Sequence, residues 1–359
     1  MERVHLRIDS IDRGLVAAGR VGDESNGDGR FNGGRHGHVR CILGSIRQGC
    51  NHQVTLLAGG VGGARMARAL RSVLDPGQLT VVANVGDDTE RYSVRVSPDP
   101  DTVLYTLANV EGPHGWGRRD DTFTAMEELA NLGVDTSFAL GDRDLAVCLY
   151  RTQLLANGVP LSAVTTRLAG AFSIGCELLP ATDDPLETFV QIEDGSWLSF
   201  QEYFVDRRHV DAVRSVAYHG APRASPAPGV IEAISGADTL VIAPSNPPLS
   251  IWPILAIDSI RAAVLTHPHR VGVSPLFGGS PLKGPADEVM AGVGLSRGTR
   301  GVLEAYDGLI DVLYVDEADS RDVPIGDGFD VAVVPGDTRL TGEDHGAAFA
   351  SEILEEASR

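Results

Sequence analysis

Residues 54–74, VTLLAGGVGGARMARALRSVL, decide the fold. The run 54–58 is apolar and ends in glycines, and apolar residues then recur at helical spacing. A second apolar run, LTVVANVG, follows at 79–86. A strand, a glycine turn, a helix and a second strand form a βαβ unit, which places its two strands in a parallel sheet.

The same pattern returns in the last third of the chain, where four apolar runs alternate with helical segments: 239–247, 269–276, 309–317 and 330–340. Residues 102–173 instead have helical periodicity, and 187–205 alternate apolar and polar residues around a predicted hairpin turn at Asp194-Gly195. The sequence therefore predicts a single α/β domain over residues 54–359. Its core is a Rossmann-like, doubly wound, mostly parallel sheet, with a helical and β-hairpin insertion at about 102–235.

Residues 1–53 differ from the rest, because they are rich in Gly and Arg and lack long apolar periodicity. Such a segment buries too little apolar surface to offset its ordering entropy. We predict a disordered extension, or a translated stretch upstream of the true start. The alternative is a zinc site, although the spacing of its residues matches no familiar zinc pattern. That site would use His36, His38, Cys41, Cys50 and His52.

Composition narrows the class of protein. A formal net charge of -19 opposes binding to nucleic acid or to an anionic membrane surface. No apolar run approaches the roughly 20 residues of a membrane helix, and no secretory signal is evident. The 4 cysteines are too scattered for a disulfide framework, so a cytoplasmic protein is predicted. A phosphorylated small molecule remains compatible, because backbone N–H groups, a few cations or a metal ion can invert the local charge.

The glycines after the first strand form the first candidate binding site. A dinucleotide fingerprint would need glycine where Arg65 stands, and no G-K-[ST] follows as in a P-loop. Four glycines nevertheless exceed what a turn needs, and a helix N-terminus favours anions. We therefore favour ligand contact over a plain turn for Gly59, Gly60, Gly62 and Gly63.

Four carboxylates follow the second strand and precede a helix: Asp87, Asp88, Asp99 and Asp101. Brought together, they would repel unless they held a divalent cation or shared a proton. Mg²⁺ uses one or two carboxylates and leaves coordination positions for water and phosphates. Surface acids and helix caps are the alternative interpretation, with Asp101 as a possible cap.

Three later segments add candidates. At the start of a helix, Asp142 and Asp144 are interpreted mainly as capping acids, whereas Arg143 is less expected there and could face a ligand. Loops after two strands supply the polar residues Ser245, Asn246, Ser274 and Lys283. Lys283 is the single lysine among the 30 Lys and Arg residues. The lysine ammonium is a compact point charge, which suits a phosphate ligand. The alternative is that this lysine has no binding role and has survived by chance in an arginine-rich chain.

Six stretches in this order closely resemble the CofD family (FbiA in actinobacteria), from about Val54 to the C-terminus: LLAGGVGGARMARAL, ANVGDDTERYSVRVSPDPDTVLYTL, GWGRRDDTF, LGDRDLAVCLYRTQLLANGVPLSAVT, APSNPPLSIWPIL and GVSPLFGGSPLKGPADEVM. The resemblance implies a transferase of coenzyme F-420 biosynthesis with a Rossmann-like core, Mg²⁺ and commonly a homodimer. Its donor would be a guanosine-diphosphate-linked three-carbon acid, and its acceptor the ribityl hydroxyl of the deazaflavin FO. A phospholactyl or phosphoenolpyruvyl group would be transferred and GMP released.

The resemblance also implies roles for the candidates. Asp87 and Asp101 would hold Mg²⁺, and one of these or Asp88 would accept the proton of the attacking hydroxyl. The glycine loop, Ser245, Asn246, Ser274 and Lys283 would surround the donor. Asp101 and Arg143 would lie near FO, with Trp116 a candidate to cover its ring. The arginine-rich composition and GWGRRDDTF favour phosphoenolpyruvate as the transferred acid.

Two rival functions are open at this point. A nicotinamide-dependent oxidoreductase needs a third fingerprint glycine and an acid after the second strand, where Arg65 and Asn84 stand. A non-catalytic nucleotide-sensing or sugar-nucleotide-sensing protein of the same fold would bind a nucleotide without turning over FO. The acidic cluster favours the enzyme.

Overall fold

Fourteen strands and eleven α-helices form in the computed structural model, which describes residues 52–282 and 284–356. The strands are β1 (Val54–Ala58), β2 (Leu79–Ala83), β3 (Thr89–Arg91), β4 (Val94–Val96), β5 (Glu177–Pro180), β6 (Glu187–Ile192), β7 (Trp197–Ser199), β8 (Val213–His219), β9 (Thr239–Ile242), β10 (Arg270–Val273), β11 (Leu276–Phe277), β12 (Ser280–Pro281), β13 (Val312–Asp316) and β14 (Ala332–Gly336).

The α-helices are α1 (Gly60–Val73), α2 (Pro98–Leu107), α3 (Thr124–Asn131), α4 (Asp142–Ala156), α5 (Leu161–Phe172), α6 (Val230–Gly236), α7 (Trp252–Leu255), α8 (Asp258–Thr266), α9 (Ala286–Gly292), α10 (Gly298–Ala305) and α11 (Glu343–Glu356). Two π-helical turns, Glu202–Asp206 and Pro247–Ile251, and two 3-10 segments, Ala221–Arg223 and Glu317–Gly328, complete the regular structure of the described residues.

The main sheet has seven strands in the order β14-β13-β10-β9-β1-β2-β5, and every neighbouring pair is parallel. From β1 the chain proceeds outward through β2 to β5, then returns to the other side of β1 and proceeds outward through β9 to β14. The strand order therefore reverses between β1 and β9. This confirms the predicted Rossmann-like, doubly wound fold, in which ligands bind outside the carboxyl ends of the strands at that reversal.

The strands of the sheet centre are buried on both faces, as a parallel sheet covered by helices requires. Adjacent residues Leu56 and Leu57 of β1 are both 0% exposed, one packing into each core. Helices α1, α2, α5 and α11 contribute to the core on one face, and α6 to α10 to the core on the other.

Two segments, rather than one, are inserted into this sheet. The hairpin β3–β4 and helices α2 to α5 separate β2 from β5, and an antiparallel sheet of order β7-β6-β8 separates β5 from β9. The predicted insertion at about 102–235 thus includes β5, which pairs with β2 in the main sheet. The predicted turn at Asp194-Gly195 is confirmed, since it joins the antiparallel pair β6–β7.

No single helix of the described residues is long and apolar enough to cross a membrane. The consecutive segments Pro247–Leu255 and Asp258–Thr266 together satisfy a criterion of length and composition, but they are bent by 93° to one another. In the fold, several of their apolar side chains, Ile254 and Ile260 among them, are fully buried.

Two predictions fall outside the described residues. The proposed extension and zinc cluster lie there except for His52, whose Nε2 is 2.9 Å from Thr239 Oγ1. Lys283 also lies outside them.

Candidate functional site

The loops after β1 and β9 meet where the strand order reverses. Ser245 Oγ donates a hydrogen bond of 2.7 Å to the carbonyl of Gly59, and the Gly59 N–H lies 3.3 Å from the same hydroxyl. A Cβ at Gly62 would lie 2.1 Å from the Pro244 carbonyl oxygen. Glycine is therefore needed for α1 to begin this close to the loop after β9.

The first turn of α1 already holds a carboxylate of the protein. Asp99 Oδ1 accepts a hydrogen bond of 2.6 Å from the Gly60 N–H, and Oδ2 accepts one of 2.9 Å from Asn84 Nδ2. A Cβ at Gly59 would lie 2.4 Å from Asp99 Oδ2, so only glycine leaves room for this contact. Burial raises the pKa of Asp99 to about 6, against the hydrogen bonds that lower it.

Asp87 and Asp88 are neighbours in sequence with different surroundings. Asp87 faces the cleft, and burial together with the charges of Asp99 and Asp88 raises its pKa well above the usual range. Asp88 accepts a hydrogen bond of 2.8 Å from Ser97 Oγ and lies 3.5 Å from Arg95 Nε. Burial raises the pKa of Asp88 to about 6, although Arg95 opposes the shift.

Asp101 is held from behind by a buried arginine. Arg151 is 1% exposed, donates to Asp101 Oδ1, and also donates a hydrogen bond of 3.1 Å to the carbonyl of Arg95. The other oxygen, Asp101 Oδ2, is buried and has no hydrogen-bond partner among the described residues. Burial raises the pKa of Asp101 despite the Arg151 charge. One carboxylate oxygen is therefore fixed and the other is available.

A second acid, Asp144, lies beside Asp101. Ligand atoms of Asp101, Asp144 and Cys148 all lie within 4.8 Å of one another, a set the described residues offer for a metal ion. Tyr105 donates a hydrogen bond of 2.7 Å to Asp144 Oδ1. Burial raises the pKa of Asp144 to about 6 and that of the Cys148 thiol to about 12. Because that thiol stays protonated at neutral pH, the carboxylates are the ligands a hard cation would use.

Four of these acids, Asp87, Asp99, Asp101 and Asp144, form part of the wall of a cavity of about 1150 Å³. Its opposite walls come from the loops after β9, β10 and β14 and from the antiparallel insertion, so the cavity lies across the carboxyl edge of the sheet. Phe200 and Phe204 of the insertion stack with ring centroids 5.3 Å apart, and His209 stacks on Phe204 at 4.8 Å. The cavity therefore combines an acidic end with flat aromatic surfaces.

The structure brings seven of the predicted residues to this cavity: Gly59, Gly60, Gly62, Asp87, Asp101, Ser245 and Asn246. Asn246 also caps the following turn, since its Oδ1 accepts a hydrogen bond of 3.2 Å from the Leu249 N–H. Trp116 lines the cavity as well, with 54% of its surface exposed. Their contacts with a ligand stay predictions.

Four predicted residues do not line it. Gly63 packs against Ala58, where an added Cβ would lie 2.9 Å from the Ala58 Cβ. Ser274 is 1% exposed and its Oγ accepts a hydrogen bond of 3.2 Å from Leu276 N. Asp88 and Arg143 are also absent from the lining, and Arg143 is exposed at the start of α4.

Sequence reasoning missed several residues of the wall: Tyr105, Asp144, Phe200, Gln201, Phe204 and His209. Gln201 Nε2 donates a hydrogen bond of 2.8 Å to the carbonyl of Asp87 across the cleft. Asp144 carried a signal, an acid at a helix start, but capping explained it equally well. The aromatic residues carried none, because an aromatic side chain outside a strand, such as Tyr105 in α2 or Phe204 in a π-helical turn, is equally compatible with the core and with a cavity wall.

Comparison with known proteins gives a consistent family. The family model described as 2-phospho-L-lactate transferase CofD matches residues 54–325. A phosphoenolpyruvate transferase of Streptomyces griseus subsp. griseus is 41% identical over 310 residues, which cover 84% of this chain and 98% of that protein. One of Streptomyces coelicolor is 45% identical over 275 residues, covering 75% and 86%.

A solved structure has a similar fold. A member of the UPF0052 family from Bacillus halodurans matches with a TM-score of 0.60 at 16% sequence identity, covering 85% of this chain and 100% of that one. At this identity the likeness concerns the fold alone.

Proposed function

The chain belongs to the CofD family of transferases, and on this basis we propose that it acts in coenzyme F-420 biosynthesis. The proposed donor is a guanosine-diphosphate-linked three-carbon acid, and the proposed acceptor is the ribityl hydroxyl of FO. The hydroxyl oxygen attacks the outer phosphorus, the bond to the GMP oxygen breaks, and a phosphodiester forms. The relatives named phosphoenolpyruvate transferases support phosphoenolpyruvate as the three-carbon acid.

Asp87 and Asp101 are the residues we propose to hold Mg²⁺. Both line the cavity, and the buried Asp101 Oδ2 without a partner is the kind of atom a cation satisfies. Carboxylate oxygens suit this hard cation, and a carboxylate oxygen of Asp144 lies within 4.8 Å of one of Asp101. When bound, Mg²⁺ would neutralise charge on the diphosphate.

The proton of the attacking hydroxyl needs an acceptor in the cavity wall. Asp88 is less suited, because it is engaged by Ser97 and does not line the cavity. Asp87 does line it, and of its two carboxylate oxygens we propose that one binds Mg²⁺ and the other accepts the proton. We therefore assign this role to Asp87.

The donor is proposed to lie between the loops after β1 and β9. Gly59, Gly60 and Gly62 line that part of the cavity with Ser245 and Asn246. Because Asp99 already accepts from the Gly60 N–H, the glycine loop offers fewer free donors than four glycines would suggest. Lys283 stays a candidate for phosphate neutralisation, and the aromatic walls are proposed to receive the FO ring. A homodimer stays a prediction from the family.

One observation carries the proposal. The Asp101 carboxylate lies in the wall of a cavity at the strand-order reversal, with one oxygen fixed by Arg151 and the other buried and without a partner in the described part of the chain. A buried carboxylate oxygen without a hydrogen-bond partner is costly and calls for a ligand or cation. An oxidoreductase is disfavoured because Asn84, not an acid, ends the second strand and contacts Asp99.

The test is mass spectrometry of the product formed from FO and donors carrying phospholactate or phosphoenolpyruvate, with Mg²⁺ or with a chelator. The expected product is the FO phosphodiester of one acid, formed only with Mg²⁺. Asp101→Asn should abolish it, whereas Asp75→Asn, at an exposed position beyond the far end of α1, should not. Recovery of unchanged FO with every donor, alongside tight nucleotide binding, would favour the non-catalytic sensing protein instead.

A further inference from the structure

A side chamber of about 470 Å³ adjoins the main cavity. It lies among α1, the end of α2 and the loop that follows α2, and it shares Val61, Arg65, Gly112, Pro113 and Asp120 with the cavity lining. The proposed sites for the donor, for FO and for Mg²⁺ leave this chamber without a ligand.

Three arginines line the chamber, and two of them are engaged. Arg68 pairs with Glu111, and Arg119 donates to the carbonyl of Asn109. Arg65 is half-buried and, within residues 52–282 and 284–356, makes neither a hydrogen bond nor an ion pair. Although Glu111 and Asp120 line the same chamber, neither forms an ion pair with Arg65, so among the described residues this half-buried cation has no paired acid.

Arg65 is the cationic side chain among the five residues that line both the chamber and the cavity. It lies in the second turn of α1, and helical side chains lean toward the N-terminus of their helix. This direction aims the guanidinium toward the loop at Gly59 and Gly60, where the donor is proposed to bind. The site is therefore built to receive an anionic group of a ligand that occupies the main cavity.

We infer that Arg65 binds the carboxylate of the three-carbon acid, with the side chamber receiving that end of the donor. This inference rests on the proposed function. The diphosphate is matched by the proposed cation, and the acids around that cation repel a further carboxylate, so the carboxylate of the donor needs a separate cation. The planar fork of arginine fits a carboxylate with two parallel hydrogen bonds. Arg65 would then distinguish a donor carrying an acid from the bare nucleotide.

The test measures binding rather than turnover, using the phosphodiester product and its carboxylate methyl ester as probes in calorimetry with the full chain. Esterification removes only the charge that Arg65 is inferred to recognise. The wild type is expected to bind the acid roughly 10- to 100-fold more tightly than the ester, as for a hydrogen bond to a charged group.

Variants separate Arg65 from the other cations of the cavity. Arg65→Met should bind acid and ester equally, and Arg65→Lys should recover part of the preference because it keeps the charge without the fork. Arg167→Met, at an exposed position of α5, makes the same change in net charge and should bind as the wild type does. Thermal unfolding of each variant checks that it is folded.

Each outcome is decisive. Equal binding of acid and ester by the wild type would overturn the inference and leave the proposed function intact, and so would a full preference retained in Arg65→Met. If the wild type bound neither probe, the proposed function would fail and the inference with it. The wild-type comparison needs no variant, so it holds even where Arg65→Met does not fold.

Discussion

The buried carboxyl groups of the cleft each have their own partner, and this divides their roles. Asp99 is held by an amide and a backbone N–H, Asp88 by a hydroxyl, Asp144 by a phenol and Asp101 by a guanidinium. Among the described residues, Asp88 and Asp101 each combine a cationic neighbour with a buried oxygen that has no hydrogen-bond partner, and of these two it is Asp101 that lines the cavity. Burial raises the pKa of all four, so a cation is what would allow several of them to ionise together.

The Arg151–Asp101 pair gives a prediction about stability. Arg151→Met leaves Asp101 buried without its cation, and breaking a buried pair in this way costs about 3–5 kcal/mol. The double variant Arg151→Met/Asp101→Asn should recover part of that loss, because no lone charge remains. Urea unfolding of the two single variants and the double variant measures the coupling. If the losses of the two single variants summed to the loss of the double variant, the two side chains would have no coupling energy and the prediction would fail.

Asp88 gives a prediction about pH. Its pKa is about 6 in the folded protein against 3.8 ordinarily, so the folded state holds the proton more tightly. Stability from this group is fully present below the unfolded pKa and is lost as pH rises through the folded value. Asp88→Asn should therefore reduce the stability difference between about pH 5 and about pH 8 by about 1 kcal/mol.

Urea unfolding at both pH values is the measurement for Asp88. Asp75→Asn, an exposed position, should keep the wild-type pH dependence. If Asp88→Asn showed the wild-type difference in free energy of unfolding between the two pH values, groups other than Asp88 would be responsible for that pH dependence.

Two helices of the first insertion cap one another. Asp121, before α3, accepts hydrogen bonds of 2.8 and 3.1 Å from the N–H groups of Arg143 and Asp144 at the start of α4. Asp142, the first residue of α4, accepts one of 2.9 Å from Ala125 in the first turn of α3. The exchange fixes α4 against α3 and so sets the position of Asp144 in the cavity wall.

This exchange yields a prediction for the insertion. Asp121→Ala removes the acceptor for two N–H groups, and such a cap is worth about 1 kcal/mol. Asp121→Asn keeps a neutral acceptor and should lose less. Asp307→Ala, an exposed acid elsewhere, should change the free energy of unfolding by less than about 0.5 kcal/mol. Denaturant unfolding compares the three, and equal stability of Asp121→Ala and wild type would contradict the capping role.

The same exchange of hydrogen bonds shows what the sequence did not predict about these helices, namely which acid caps which helix. The start of α4 at Asp142 followed from the sequence, but Asp142 caps α3, and Asp144 faces Tyr105 rather than capping its own helix. The interpretation of Asp144 as a cap was wrong because the cap comes from Asp121, which is distant in sequence. The edge strand β5 was missed because its apolar run is only Leu178 and Leu179, between an exposed glutamate and a proline.

At the scale of the whole molecule, apolar runs followed by glycine or helix were sufficient to predict six of the seven main strands and the parallel sheet. The strand order then places the cavity, because the loops after β1, β2 and β9 leave from one edge at the reversal. What the sequence could not supply is which acids face the cavity. Asp87 and Asp88 are adjacent and equally acidic, and only packing against Ser97 and Gln201 separates them.

The last prediction concerns residues 1–51. The family match begins at residue 54, and all seven strands of the main sheet lie in residues 52–356, so a chain beginning at His52 should retain fold and activity. His52 is kept because its ring contacts Thr239. Calorimetric unfolding and product formation should match the full chain within error, and the full chain should contain no zinc by mass spectrometry. Loss of activity on truncation, together with stoichiometric zinc in the full chain, would instead establish the metal-site alternative.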